Sequence, residues 1–204
     1  MVAEQLKRRG IRDERVLAVM SALPREAFVP GSEWAAYDDR ALPIEAGQTI
    51  SQPYVVARMT ELLQVAQGDR ILEIGTGSGY QAAVLAQLGA TVRSIERVEV
   101  LAATAREHLA GLGVEGVEIV LGDGSAGDPA GAPWDGIIVT AAAPAVPEPL
   151  RTQLAVGARL VIPVGPRHVQ SLMVVERRGP TEWREWSDGA VVFVPLLGEG
   201  GWSH

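Results

Sequence analysis

Apolar positions change their period along this chain. Val16, Leu17, Val19 and Met20 recur at helical spacing within residues 2–22, a stretch interrupted near Gly10 and resumed around Asp13. A second apolar helical face, Val55, Val56, Met59, Leu62 and Leu63, follows Pro53. Proline suits a first helical position because its missing N–H is not needed there. Between these segments, PREAFVPG (24–31) is a punctuated connection, and 34–48 has no clean period. From Asp69 onward short apolar runs alternate with helical ones. RILEIG (70–75), TVRSIE (91–96), VEIVLGD (117–123), DGIIVTAAAP (135–144) and ARLVIPVG (158–165) read as strands. The stretches 80–88, 98–112 and 147–154 read as helices. SLMVVERR (171–178) and GAVVFVPL (189–196) read as two further strands with no helix between them.

That alternation predicts an α/β fold: a doubly wound, mostly parallel seven-stranded sheet with an antiparallel edge strand and an N-terminal helical region. Residues 1–48 are expected to form a helical and irregular region packed on a main domain at 49–204. Composition narrows the chemistry. With no cysteine in 204 residues, disulfides, thiolate nucleophiles and zinc–thiolate sites are excluded. The three histidines, at 108, 168 and 204, are scattered, so no metal site is expected. Eighteen basic against 25 acidic residues, a net charge of -7, argues against a nucleic-acid partner. No apolar run reaches membrane-spanning length, and the opening MVAEQLKRRG lacks a signal-peptide core. The expectation is a cytoplasmic monomer with neither nucleic-acid nor membrane partners.

Three predicted strand ends carry ligand chemistry. EIGTGSGY places Gly75, Gly77 and Gly79 after the first strand of the sheet, where a glycine turn and a helix start offer backbone donors. The spacing is G-x-G-x-G, not the dinucleotide fingerprint, and by itself fits a plain turn equally well. Glu96 ends the next strand, where a carboxylate reaches a ribose diol or stands solvated beside Arg97. Asp123 ends the third, placed to accept from an adenine amino group or to cap a turn. Together the three favour an adenosine pocket. GQTISQPYVVARM (47–59) raises a separate question, because its polar cluster sits at a helix start. From the residues alone, Ser51 as a helix cap ranks ahead of Ser51 as a ligand group.

ILEIGTGSGYQAAVLA, GQTISQPYVVARM, GDGS, WDGIIVTAAAP, ARLVIPVG, VVFVPLLGEGGW and PREAFVP together resemble the protein-L-isoaspartate (D-aspartate) O-methyltransferase family over roughly 24–202. The resemblance implies a class I methyltransferase using S-adenosyl-L-methionine. The acceptor it implies is the free α-carboxylate of L-isoaspartyl residues in damaged proteins and peptides, whose ester then closes to a succinimide. It makes Ser51 the catalytic residue, orienting that carboxylate. Thr49, Ile50, Ser51, Glu73, Gly75, Gly77, Gly79, Glu96, Asp123, Gly124 and Gln170 are the cofactor-binding set. Thr140 falls near the expected transfer centre. Gln52, Tyr54 and Val55 depart from the family's usual residues, at the substrate rim. The reaction asks for no strong base, since a carboxylate is already ionised near neutral pH. A cation in direct contact with the acceptor would over-stabilise the ground state, so neutral donors suit it better.

Overall fold

The computed structural model describes residues 1–29 and 31–203; Pro30, in the punctuated connection, and His204, one of the three histidines, lie outside the described residues. The chain opens with a π turn at Val2–Leu6 and a 3₁₀ turn at Lys7–Arg9, closed by Gly10 in the left-handed region (φ 99). Regular helix was expected here. Leu6 is the one buried residue on the two turns, so no apolar face exists to hold an α-helix down. Helix α1 (Glu14–Ala22) starts at Asp13, whose carboxylate accepts from the amides of Arg15 (2.9 Å) and Val16 (3.4 Å). Two short strands follow, β1 (Leu42–Pro43) and β2 (Thr49–Ile50), paired antiparallel, and then α2 (Pro53–Leu63).

The main sheet begins with β3 (Arg70–Ile74), α3 (Tyr80–Gln87), β4 (Thr91–Glu96), α4 (Glu99–Gly111) and β5 (Val117–Leu121). It continues with β6 (Trp134–Val139), α5 (Glu148–Thr152), β7 (Leu154–Val164), β8 (Gln170–Arg177) and β9 (Trp183–Val191). The spatial order is β5-β4-β3-β6-β7-β8-β9, parallel through β7. β8 pairs antiparallel with β7, and the edge strand β9 antiparallel with β8, as expected for a tail without crossover helices. One apolar cluster, including Leu6, Val16, Phe28, Val56, Ile71 and Val84, joins the N-terminal region to the sheet. The opposite face is a second cluster around Leu72, Ile137, Leu150 and Leu160. Among the described residues no helix is long and apolar enough to cross a membrane.

The last strand corrects the sequence reading. It was expected at 189–196 but occupies Trp183–Val191. An edge strand needs no continuous apolar run, and Trp183 and Trp186 pack under the guanidinium groups of Arg177 and Arg184. The apolar 192–196 instead leaves the ladder. Ala142 N–H donates to Val194 O and Leu196 N–H to Ala142 O, both at 2.8 Å, so this stretch lies across the end of β6. Pro195 has no N–H to give a ladder. β7 likewise starts earlier than expected, at Leu154 instead of 158.

Register places one carboxyl group inside the sheet. Glu73 of β3 stands opposite Ser94 of β4 and is fully buried. One oxygen is bonded to the Ser94 hydroxyl, which also meets the Thr76 hydroxyl; the other oxygen has no partner. Burial pushes the carboxyl up to about 8, with the Ser94 bond opposing and the nearby Glu96 charge reinforcing the shift. Folded Glu73 therefore holds a proton that the unfolded chain releases near 4.5. The stabilisation is complete below that value and declines as pH rises to about 8, by ~1.4 kcal/mol per pH unit for one proton. Glu73→Gln, which carries no titrating proton, is expected to show a shallower decline than the parent between pH 5 and 8 in urea titrations. Equal slopes would mean that Glu73 is ionised in the folded protein.

Candidate active site

The C-terminal ends of β3, β4 and β6 and the loop after β5 open on a cleft of about 460 Å³, within the ~300–1,000 Å³ typical of small-molecule sites. Gly75, Gly77, Glu96, Gly124 and Thr140 line it, with Thr49 above and Val194–Leu197 as the far wall. Gly75 has φ 96, and a Cβ there would stand 2.4 Å from the Thr140 hydroxyl. Thr140 uses that space to donate to Gly75 O (2.6 Å) and lies 3.1 Å from Ile74 O, stapling β6 to the glycine turn. Glu96 is buried, yet its carboxylate lines the cleft. One oxygen accepts from Gly77 N–H (3.0 Å) and the other from Val98 N–H (2.9 Å). Two backbone turns are thus pinned on one carboxylate, on a residue that lines the cleft.

Other residues of the expected set stand elsewhere. Gly79 is the N-cap of α3, with φ 88, and a Cβ there would press on Ala105 at 3.3 Å. It permits helix packing and does not line the cleft. Glu73 lies beneath the glycine turn, inside the sheet, and also does not line it. Asp123 accepts from Ser125 N–H (2.9 Å) and Glu199 N–H (3.1 Å), latching the C-terminal segment beside the cleft. Burial alone would raise its carboxyl, but those amides outweigh it and hold it below its ordinary value. Gln170 is buried with both ends engaged, donating to Pro166 O (2.7 Å) and accepting from Phe193 N–H (2.9 Å), so it braces the wall. His168 is exposed, and among the described residues no group of three potential metal ligands occurs.

The cap position of α2 is Gln52, and it makes no side-chain capping bond; Ser51 caps nothing. Its carbonyl accepts from Arg25 Nη2 at 2.8 Å. Thr49, Ile50 and Ser51 share a narrow crevice with Gly75, Gly77 and Thr140. On the other side, Thr49 and Ser51 border an outer groove of about 350 Å³ with Gln52, Val55 and Ala190–Phe193. The segment is therefore a partition between cleft and groove. Sequence reasoning missed Val194–Leu197 as cleft wall, because their apolar run was read as strand. It also passed over Arg25, whose signal was only its place in PREAFVP.

The cleft suits an adenosine ligand: a carboxylate at a strand end, glycines that leave backbone exposed, and no need for a metal. The family model for protein-L-isoaspartate(D-aspartate) O-methyltransferase matches residues 1–201. A protein-L-isoaspartate O-methyltransferase of Methanoculleus marisnigri is 57% identical over 99% of this chain and 92% of its own length. One of Pelobacter propionicus is 56% identical over 99% of this chain and 91% of its own. Among solved structures, a protein-L-isoaspartate O-methyltransferase superposes with TM-score 0.85 at 30% identity, covering 98% of this chain and 67% of that one. A Plasmodium falciparum structure described as the same enzyme, in complex with S-adenosyl-L-homocysteine, gives 0.84 at 26% identity, covering 96% of each chain. With the family model matching residues 1–201 and a relative 57% identical over nearly the whole chain, the chain belongs to the protein-L-isoaspartate(D-aspartate) O-methyltransferase family.

Proposed function

We propose that this enzyme methylates the free α-carboxylate of L-isoaspartyl residues in damaged proteins and peptides across the partition at Thr49–Ser51, with Ser51 orienting the acceptor oxygen. The observation that carries the reading is the placement of Ser51: it borders both the glycine-turn crevice and the outer groove, and it has no capping duty. S-adenosyl-L-methionine supplies an activated methyl group when bound in the cleft. Glu96 is the group for its ribose, and Gly75 and Gly77 leave backbone exposed beside it. Thr140 holds the floor of the crevice by fixing the glycine turn.

The chain's work is positioning. The acceptor carboxylate is ionised without help, so no residue has to remove a proton. The Ser51 hydroxyl donates one hydrogen bond, which fixes the carboxylate but leaves its other lone pairs free. Alignment of this kind lowers a barrier by as much as ~7–11 kcal/mol in favourable cases. Neither crevice nor groove is lined by a charged side chain, so the acceptor is not locked in a direct ion pair. An isoaspartyl residue presents its carboxylate on the backbone itself, and a normal aspartate presents it at the end of a side chain. Only one of these reaches the partition with the main chain lying in the groove.

Paired peptides differing only in isoAsp or Asp at one site test the reading. Methyl incorporation is expected into the isoAsp peptide alone, and the label should be released by mild base, as an ester is; equal labelling of both peptides would remove the assignment. Ser51→Ala is expected to bind cofactor normally and to lose turnover by about 10- to 100-fold, the worth of one hydrogen bond to a charged group. Single-turnover rates at saturating peptide measure this, and a parental rate in folded protein would sink the role given to Ser51. Glu96→Ala is expected to weaken cofactor binding by ~10-fold or more, since it removes an anionic acceptor. Calorimetry showing unchanged affinity would refute the ribose assignment.

A further inference from the structure

Arg25 is fully buried, at the start of the PREAFVP connection. Its Nε donates to Ala36 O at 2.7 Å and its Nη2 to Ser51 O at 2.8 Å, while Nη1 has no partner. The guanidinium carbon lies 4.8 Å from the centroid of the Tyr80 ring, which also lines the crevice. No carboxylate among the described residues pairs with it. Burial pulls its pKa below the ordinary guanidinium value, with Tyr80 and Tyr37 working the other way, yet a guanidinium keeps its proton in proteins. An arginine buried without an anion is costly to fold around. Two carbonyls and one aromatic face lessen that cost but do not neutralise the charge.

The same spot is where a negative group is wanted. Neither the crevice nor the outer groove beside Ser51 is lined by a charged residue. The unneutralised charge nearest Ser51 is therefore the cation bonded to its own carbonyl. We propose that Arg25 is a positioning residue for the acceptor. It holds the Ser51 peptide in place and, one peptide group away from the reacting oxygen, supplies the positive potential that favours a carboxylate over a neutral group. The screen matters. Direct contact would form an ion pair that must break as the carboxylate loses charge, whereas a cation behind the Ser51 peptide selects the acceptor without clamping it.

This inference rests on the isoaspartyl reading, and its test separates the two. An isoAsp peptide and the same peptide with its α-carboxylate replaced by a carboxamide are titrated calorimetrically into protein saturated with S-adenosyl-L-homocysteine. The parent is expected to prefer the carboxylate by about tenfold or more, the scale of an interaction with a charged group. Arg25→Met is expected to bring the two affinities together, leaving S-adenosyl-L-homocysteine affinity within ~2-fold of the parent. Arg25→Lys keeps the charge but not the planar grip on two carbonyls. It should retain the preference while turnover falls by ~100-fold through misplaced Ser51. A purely structural Arg25 would weaken both peptides equally in Arg25→Met, and that result overturns the proposal. So does an Arg25→Lys protein with no preference, or a parent that binds both peptides alike. If the parent fails to methylate the isoAsp peptide at all, the functional reading itself falls; methylation without a carboxylate preference removes only the role of Arg25.

Discussion

Everything at the cleft hangs on one carboxylate with two amides on it. Glu96 ends β4, and its oxygens take the N–H of Gly77 from the glycine turn and of Val98 at the start of α4. Without that bond the Gly77 amide would lose its acceptor, and the turn after β3 would rest on the backbone bonds of Gly75 to Ile95 O and Gly79 to Thr76 O alone. With it, the turn after one strand is tied to the end of the next, and Thr140 ties the same turn to the end of β6. Adjacent parallel strand ends are joined by main-chain bonds, Gly75 N–H to Ile95 O and Thr140 N–H to Ile74 O, and just beyond them by side-chain acceptors and donors. This lets a cavity exist at an edge where the sheet's own hydrogen bonding has run out.

The second wall is built by different means. The strand ends supply only a floor, so the roof comes from sequence far away in both directions. Thr49–Ser51 is carried by the short β1–β2 ladder and by Arg25, while Val194–Leu197 is held by Ala142, Asp123 and Gln170. In each case a buried or half-buried polar side chain bonds to main chain across a long loop. Such bonds are directional and leave little slack, which suits walls that must keep an acceptor in line. They also explain why several polar residues near the cleft do not face it.

The strands from 70 to 139 were legible in the sequence chiefly because β3, β4 and β6 are buried on both faces, so apolar runs and elements coincide. The edge was not. β9 faces solvent over much of its length and reads as charged, while the apolar 192–196 left the sheet to wall the cleft. Placement at the cleft was legible where backbone needs dictate residue type: Gly75, Gly77 and Glu96 line it, and Thr49 and Ser51 line the crevice beside it. Placement was not legible where a polar side chain bonds to the chain itself. Glu73, Asp123 and Gln170 have the right chemistry for a ligand and are engaged by Ser94, Glu199 and Phe193 instead. Nothing in a run of letters tells which way a carboxyl turns. Only the capping reading of Ser51 is set aside by a neighbour, since Gln52 takes the cap position.

The charges around the site fit the direction in which charge moves. Transfer of a methyl cation to a carboxylate brings a positive and a negative group to neutrality, so an environment that strongly favours separated charge would slow it. The protein keeps its own ionised groups to the two ends. The Glu96 carboxylate is met by two amides, and Glu73 holds its proton because burial outweighs its one bond from the Ser94 hydroxyl. Arg25, at the acceptor end, is separated from the crevice by the Ser51 peptide. Between them lie hydroxyls, amides and apolar side chains. On the proposed placement, a cofactor cation meets the Glu96 end and an acceptor anion the Arg25 end, while the crevice between them is lined by no charged side chain.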